Sequence, residues 1–197
     1  TSQLLQATST ISPAMLSNLS VQKGATLASV MGEIAIDQSG SAYVASLGGG
    51  LVKASASEIH NLTRWNGLPD DRVISVATGK NDKVLIGTAQ GAALLKSNEV
   101  VQVWDQSLSD SYVQAVSFHQ DTPLLGTYLG LDKVTDTEII NVLPAWSIFS
   151  ILSQDSQTVW VGYEGITKLQ TDQEPETQTW PGNVYDIHFG NEDLFLA

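Results

Sequence analysis

Glu33, Asp186 and His188 are the residues whose types could perform acid–base chemistry together. His188 lies two residues after Asp186, so on an extended strand both side chains point to the same side. Two carboxylates and an imidazole can supply a general acid, a general base and an orienting partner for hydrolysis or elimination. Their hard oxygens could instead bind a divalent cation. The plainer reading is that they are solvated polar residues, because no motif fixes their geometry. Whether they meet at all depends on the elements that carry them, since Glu33 and Asp186 stand far apart in the chain.

Those elements are copies of one unit. Leu51-Val52-Lys53, Leu94-Leu95-Lys96, Leu131-Asp132-Lys133 and Ile166-Thr167-Lys168 repeat one tripeptide, and Leu4-Leu5-Gln6 resembles a further copy. Each full copy follows a short apolar run that ends in a small residue, giving the series Ala45, Gly87, Gly126, Gly162 and Ala197. The steps are 42, 39, 36 and 35 residues, and passing from Ala197 through Thr1 to Ala45 adds 45. A period near 40 that holds four short strands is the signature of a β-propeller blade. The expected blades are residues 30–66, 67–107, 108–145 and 146–182, with 183–197 completed by 1–29. In that ring the C-terminal half-blade pairs with the N-terminal segment and removes exposed strand edges. A fragment of a larger propeller is the alternative.

The clearest unit reads as strands Val73–Ala77, Lys83–Ile86, Ala92–Leu95 and Val100–Trp104, punctuated by Gly79-Lys80-Asn81-Asp82, Ser97-Asn98 and Gly67-Leu68-Pro69-Asp70. Gly, Asn, Asp and Pro are what tight reversals require. The second strand is apolar at consecutive positions in every unit, from Tyr43-Val44 to Leu194-Phe195-Leu196, which predicts burial on both faces between neighbouring blades. The small residue after it should sit where backbones crowd.

Composition narrows the partners. The chain has 197 residues, 42% apolar and 15% charged, as expected of one globular domain. Nine Lys and Arg against 21 Asp and Glu give a net charge of −12, which repels nucleic acid and anionic membranes. No apolar stretch approaches the roughly 20 residues of a bilayer span, and no signal peptide is visible. The absence of cysteine excludes disulfides and thiolate metal sites.

Asn66-Gly67-Leu68-Pro69-Asp70-Asp71-Arg72-Val73, then Val84-Leu85-Ile86-Gly87-Thr88 and Gly91-Ala92-Ala93-Leu94-Leu95, resembles the propeller repeats in the sensor regions of hybrid two-component regulators. Those repeats read roughly N-G-L-P-x-x-x-V, L-W-I-G-T and G-G-L. Thr158-Val159-Trp160-Val161-Gly162 with Gly165-Ile166 is the second-best match; the other units depart from the pattern. The resemblance implies an extracytoplasmic ligand-sensing ring, although such rings usually have more than five blades.

Aligning the innermost strands places Glu33, Ser75, Ala115, Ser150 and Asp186 at one level, with Gly32, Ile74, Gln114, Phe149 and Tyr185 beside them. These residues do not repeat in type, which disfavours five equivalent sugar sites and favours one site at the channel mouth. The loops that lead back to the axis place Tyr112, Trp146 and Tyr185 in an aromatic rim with Asp70, Asp71 and Asp110 around it. Loops on a rigid scaffold commonly carry function. A small molecule, glycan or protein on this face, without catalysis, is the favoured function; a hydrolase or lyase using Glu33, Asp186 and His188 is the alternative.

Other features have plainer explanations. His60, His119 and His188 fall at different repeat phases, which argues against a shared metal. The acidic turns Asp37-Gln38-Ser39-Gly40, Lys80-Asn81-Asp82 and Asn191-Glu192-Asp193 read as turns rather than calcium loops. Trp65, Trp104 and Trp180 read as packing at the rim, and Lys53, Lys96, Lys133 and Lys168 as solvated edge residues. Asn18-Leu19-Ser20 and Asn61-Leu62-Thr63 match the glycosylation pattern, a frequent chance match.

Overall fold

The computed structural model describes residues 31–144, 146–170, 173, 175–178, 182–190 and 193–197. The chain forms a β-propeller of antiparallel meander sheets. The first blade comprises β1 (Met31–Ile36), β2 (Ala42–Ser46), β3 (Gly50–Ala54) and β4 (Ile59–Leu62). The second comprises β5 (Val73–Thr78), β6 (Lys83–Thr88), β7 (Gly91–Lys96) and β8 (Glu99–Trp104). The third holds β9 (Val113–His119), β10 (Thr122–Thr127), β11 (Gly130–Val134) and β12 (Ile139–Pro144). The fourth holds β13 (Ser150–Ser153), β14 (Thr158–Tyr163), β15 (Gly165–Gln170) and β16 (Glu176–Gln178). β17 (Ile187–Gly190) and β18 (Asp193–Leu196) form a two-stranded sheet. The expected clasp between Leu4-Leu5-Gln6 and the C-terminus lies outside the described residues, as does Trp180.

Turn chemistry sets the meander. Asn81 and Asp82 both adopt φ of 56°, and Ser97 and Asn98 adopt 51° and 70°. Left-handed pairs of this kind match the twist of two-residue hairpins. At the β10–β11 reversal Gly130 has φ of 148°, and a Cβ there would come 2.7 Å from Leu143 O.

Burial follows the alternation of the second strands. Val84, Leu85 and Ile86 are all inaccessible to solvent, yet they serve two different cores. Ile86 joins Tyr43, Leu51 and Leu62 of the first blade, whereas Leu85 joins Val113, Val116 and Leu125 of the third. In the same way Leu124 faces Val159 and Val161 of the fourth blade. The second, third and fourth blades are thus each held by apolar surface shared with both neighbours, at roughly 25 cal/mol per Å² buried.

The last second strand departs from this expectation. Leu194 and Leu196 pack with Ile166, Val184 and Ile187, but Phe195 on the opposite face is 56% exposed. Among the described residues only the fourth-blade side of β18 is covered by an apolar cluster.

The small residues that close the second strands mark blade junctions. A Cβ at Gly87 would lie 2.9 Å from Val113 O, and one at Gly162 would lie 2.6 Å from Val184 O, both on the following blade. Backbone hydrogen bonds reinforce each junction: Gly50 N–H donates to Asp71 O (2.8 Å), Gly91 N–H to Ser111 O (2.7 Å), Ile148 N–H to Thr127 O (2.9 Å) and Val184 N–H to Tyr163 O (2.7 Å). The blades therefore meet at fixed spacing around the axis, and that spacing positions the innermost strands.

Two packing expectations change. Trp65 sits in a single 3-10 turn, Arg64–Asn66, after β4 and is 96% exposed, so it does not cap a core; Trp104 is partly buried in the junction between the second and third blades. Lys53 and Lys168 are not merely solvated. Their ammonium groups lie 5.4 Å and 5.7 Å from the ring centres of Tyr43 and Trp160, and Lys53 Nζ also donates to Asn98 of the next blade. Long aliphatic stems let these residues cover a neighbouring ring while the charge stays wet.

Candidate functional site

The innermost strands β1, β5, β9 and β13, together with the segment entering β17, surround a cavity of about 310 Å³ on the axis. Its walls include Glu33, Ile74, Gln114, Phe149, Tyr185 and Asp186, drawn from every repeat. These are residues of the two adjacent levels given by strand alignment. Ser75 of the same alignment is buried at the junction instead, with its hydroxyl unpartnered among the described residues.

Glu33 projects from β1, and Val76 N–H of β5 donates to its Oε2 at 3.1 Å. Glu33 is exposed by surface area, yet the surrounding strands crowd its carboxyl. The resulting desolvation pushes its pKa above the ordinary glutamate value; the Val76 bond opposes the shift, and the negative charge of Asp186 adds to it. Two carboxylates from distant repeats thus share one electrostatic environment.

Asp186 is held by its own strand. Its Oδ1 accepts from Ile187 N–H at 2.9 Å, and His188 Nε2 lies 2.9 Å from Oδ2. His188 is thereby oriented, but its side chain is 75% exposed and does not line the cavity. The three residues therefore do not act as one group: Glu33 and Asp186 line the cavity, and His188 pairs with Asp186 from outside it.

An aromatic wall stands at the mouth. Phe149 and Tyr185 approach with ring centres 4.9 Å apart and planes inclined at 46°, a tilted contact favoured by ring quadrupoles. Asn183 Nδ2 donates to the Tyr185 hydroxyl at 2.8 Å and fixes the exposed end of that ring. Gln114 donates through Nε2 to Ser147 Oγ (2.9 Å) and Ile148 O (3.3 Å), so its amide is anchored to the next blade.

The remaining candidates lie away from this cavity. Tyr112 stacks on Tyr128 with centres 4.8 Å apart, and Trp146 contacts Tyr163 at 4.6 Å. Asp110 accepts from Tyr112 N–H at 2.7 Å. Asp70 accepts from Arg72 N–H (2.7 Å), Nε (3.0 Å) and Nη2 (3.2 Å). The Arg72 guanidinium accordingly holds the Asp70 carboxyl below the usual carboxylate range. Both aspartates act as turn acceptors just ahead of an innermost strand.

Asp132, which does not line the cavity, is a buried loop anchor that the repeat pattern did not single out. It is almost fully buried in β11, where Ser109 donates to it through N–H (2.7 Å) and hydroxyl, tying down the loop that enters β9. Its place in the repeated tripeptide, where other units carry Val, Leu or Thr, is the only sequence signal.

The histidines have separate partners: His60 beside Glu58, His119 beside Ser153 and His188 beside Asp186. The turn at Asp37 is closed by donation from Ser39 and Ser41. Among the described residues no three His, Asp or Glu side chains gather as a metal group.

No protein-family model matches the chain, and neither does any curated protein. Solved structures do share its fold. The extracellular domain described as that of hybrid two component system BT4673 from B. thetaiotaomicron is 18% identical, with a TM-score of 0.68 over 83% of this chain and 25% of that one. The corresponding domain of BT3049 from the same organism is 13% identical, with a TM-score of 0.74 over 89% and 27%. Virginiamycin B lyase from Staphylococcus aureus is 12% identical, with a TM-score of 0.69 over 84% and 62%. The chain thus spans about a quarter of the length of the two sensor-system domains, and the likeness is one of fold. It is the propeller fold that the repeat pattern of hybrid-regulator sensor regions implied.

Proposed function

We propose that this chain is a non-catalytic binding module that senses or scaffolds through a single small-ligand site at the mouth of its central channel. One observation carries the reading: unlike residues from every repeat, among them Glu33, Gln114, Phe149, Tyr185 and Asp186, converge on one cavity. A cavity of about 310 Å³ is at the small end for ligand pockets, and its mostly polar lining is joined by the rings of Phe149 and Tyr185. Extracellular sensor domains with the same fold support a sensing role and an extracytoplasmic location. No described helix is long and apolar enough to cross a membrane.

The Asp186–His188 pair favours a second reading as a hydrolase or lyase, since an oriented imidazole is what general-base chemistry uses. Its exposure outside the cavity weighs toward binding. A thermal-shift screen of small glycans, peptides and amines, followed by titration of any hit against Gln114→Ala and Tyr185→Ala, tests the module. Saturable binding lost in both variants, with the ligand recovered intact, is expected. Turnover abolished by His188→Ala establishes the enzyme instead.

A further inference from the structure

We propose that the cavity takes a small organic cation, an ammonium or guanidinium compound, with its charge between Glu33 and Asp186 and its carbon frame against the Phe149–Tyr185 wall. The proposal rests on the channel mouth being the ligand site and names the chemistry that the site selects.

The walls carry two carboxylates and, among the described residues, no Lys, Arg or His. Glu33 shares the cavity with residues of the other four repeats, and only one of its oxygens accepts a protein hydrogen bond among the described residues. Negative charge held in such a place is costly until a counter-charge or proton arrives. A cation relieves that cost, whereas an anionic sugar or phosphate increases it.

The aromatic wall, which continues from Asp186 to the adjacent Tyr185, has matching chemistry. Tyr185 is 62% exposed and tilts against Phe149, offering ring faces that attract cations most strongly where water is partly excluded. A bare divalent metal has no use for those rings and needs six or more oxygen ligands, of which this cavity gathers too few. The volume corresponds to about ten water molecules at about 30 Å³ each, enough for a choline-sized or agmatine-sized molecule.

The titratable groups around the bound charge are Glu33, Asp186 with its partner His188, and Tyr185. A bound cation favours ionised Glu33, so binding releases protons at mildly acidic pH and weakens as pH falls.

Calorimetric titration of the whole chain with choline, agmatine and the neutral carbon isostere of choline tests this. The cations bind saturably, the isostere binds at least about tenfold more weakly, and Glu33→Gln and Tyr185→Ala each lose about tenfold. Circular dichroism and melting of both variants establish that they fold. Equal binding of choline and its isostere overturns the proposal, as does the failure of every cation to bind. Binding of a neutral oligosaccharide that is lost in Gln114→Ala would leave the channel mouth as a ligand site while removing the cation.

Discussion

Glu33 and Asp186 come from the first and last sheets of the described chain, yet they line one cavity, close enough for the charge of Asp186 to raise the pKa of Glu33. That relationship exists because similar junctions between successive sheets are arranged around an axis. Residues remote in sequence become neighbours when each blade fixes the angle to the next.

The first prediction concerns stability against pH. The folded-state pKa of Glu33 is raised above its ordinary 4.5, first by burial, so its contribution is fully present below 4.5 and is lost as pH rises through the folded value. Glu33→Gln removes the crowded charge while a side-chain oxygen can still accept from Val76 N–H. The variant should melt above wild type at pH 7, with the difference vanishing below about pH 4. Equal melting at neutral pH contradicts this.

The second concerns the blade junction. Gly162 faces Val184 O at a separation that no ordinary Cβ tolerates. Gly162→Ala should therefore cost about 1–3 kcal/mol by forcing the fourth blade and the segment entering β17 apart. Denaturant titration measures it. A change under about 0.5 kcal/mol would show that the junction is looser than described.

The third separates turn chemistry from ligand chemistry. Asp70 closes the turn ahead of β5 and pairs with Arg72, so Asp70→Ala should cost about 1–2 kcal/mol and leave ligand affinity unchanged. Its folded pKa is depressed below 3.8, chiefly by the Arg72 hydrogen bond. The contribution is therefore present above 3.8 and lost as pH falls through the lower folded value. Unfolding curves at pH 7 and pH 2.5 should show the deficit of Asp70→Ala shrinking in acid. A deficit unchanged at low pH, or a loss of ligand affinity, contradicts the assignment.

Much of this architecture is legible in the chain. Consecutive apolar residues such as Val84-Leu85-Ile86 reveal a strand covered on both sides, and the recurrent small residue reveals where the next blade presses. Strand phase also placed Glu33, Gln114, Phe149, Tyr185 and Asp186 beside one axis. What pattern cannot carry is the identity of a side chain's partner. Asp70 and Asp110 have the type and loop position of ligand residues, and only coordinates reveal Arg72 and the Tyr112 N–H beside them. Trp65 has the apolar ring of a core residue, yet it is exposed in a short turn that a left-handed Gly67 ends. Phe195 repeats the apolar run of earlier units, but the described residues cover only the opposite face of its strand.

The most direct measurement is the titration of the Glu33 carboxyl carbon by NMR in wild type and Asp186→Asn. A midpoint above 4.5 in wild type that moves down when the Asp186 charge is removed is expected, because both carboxyls share one channel. A Glu33 midpoint at its ordinary value, indifferent to Asp186→Asn, would mean that the two repeats do not meet at the axis and that the site does not exist.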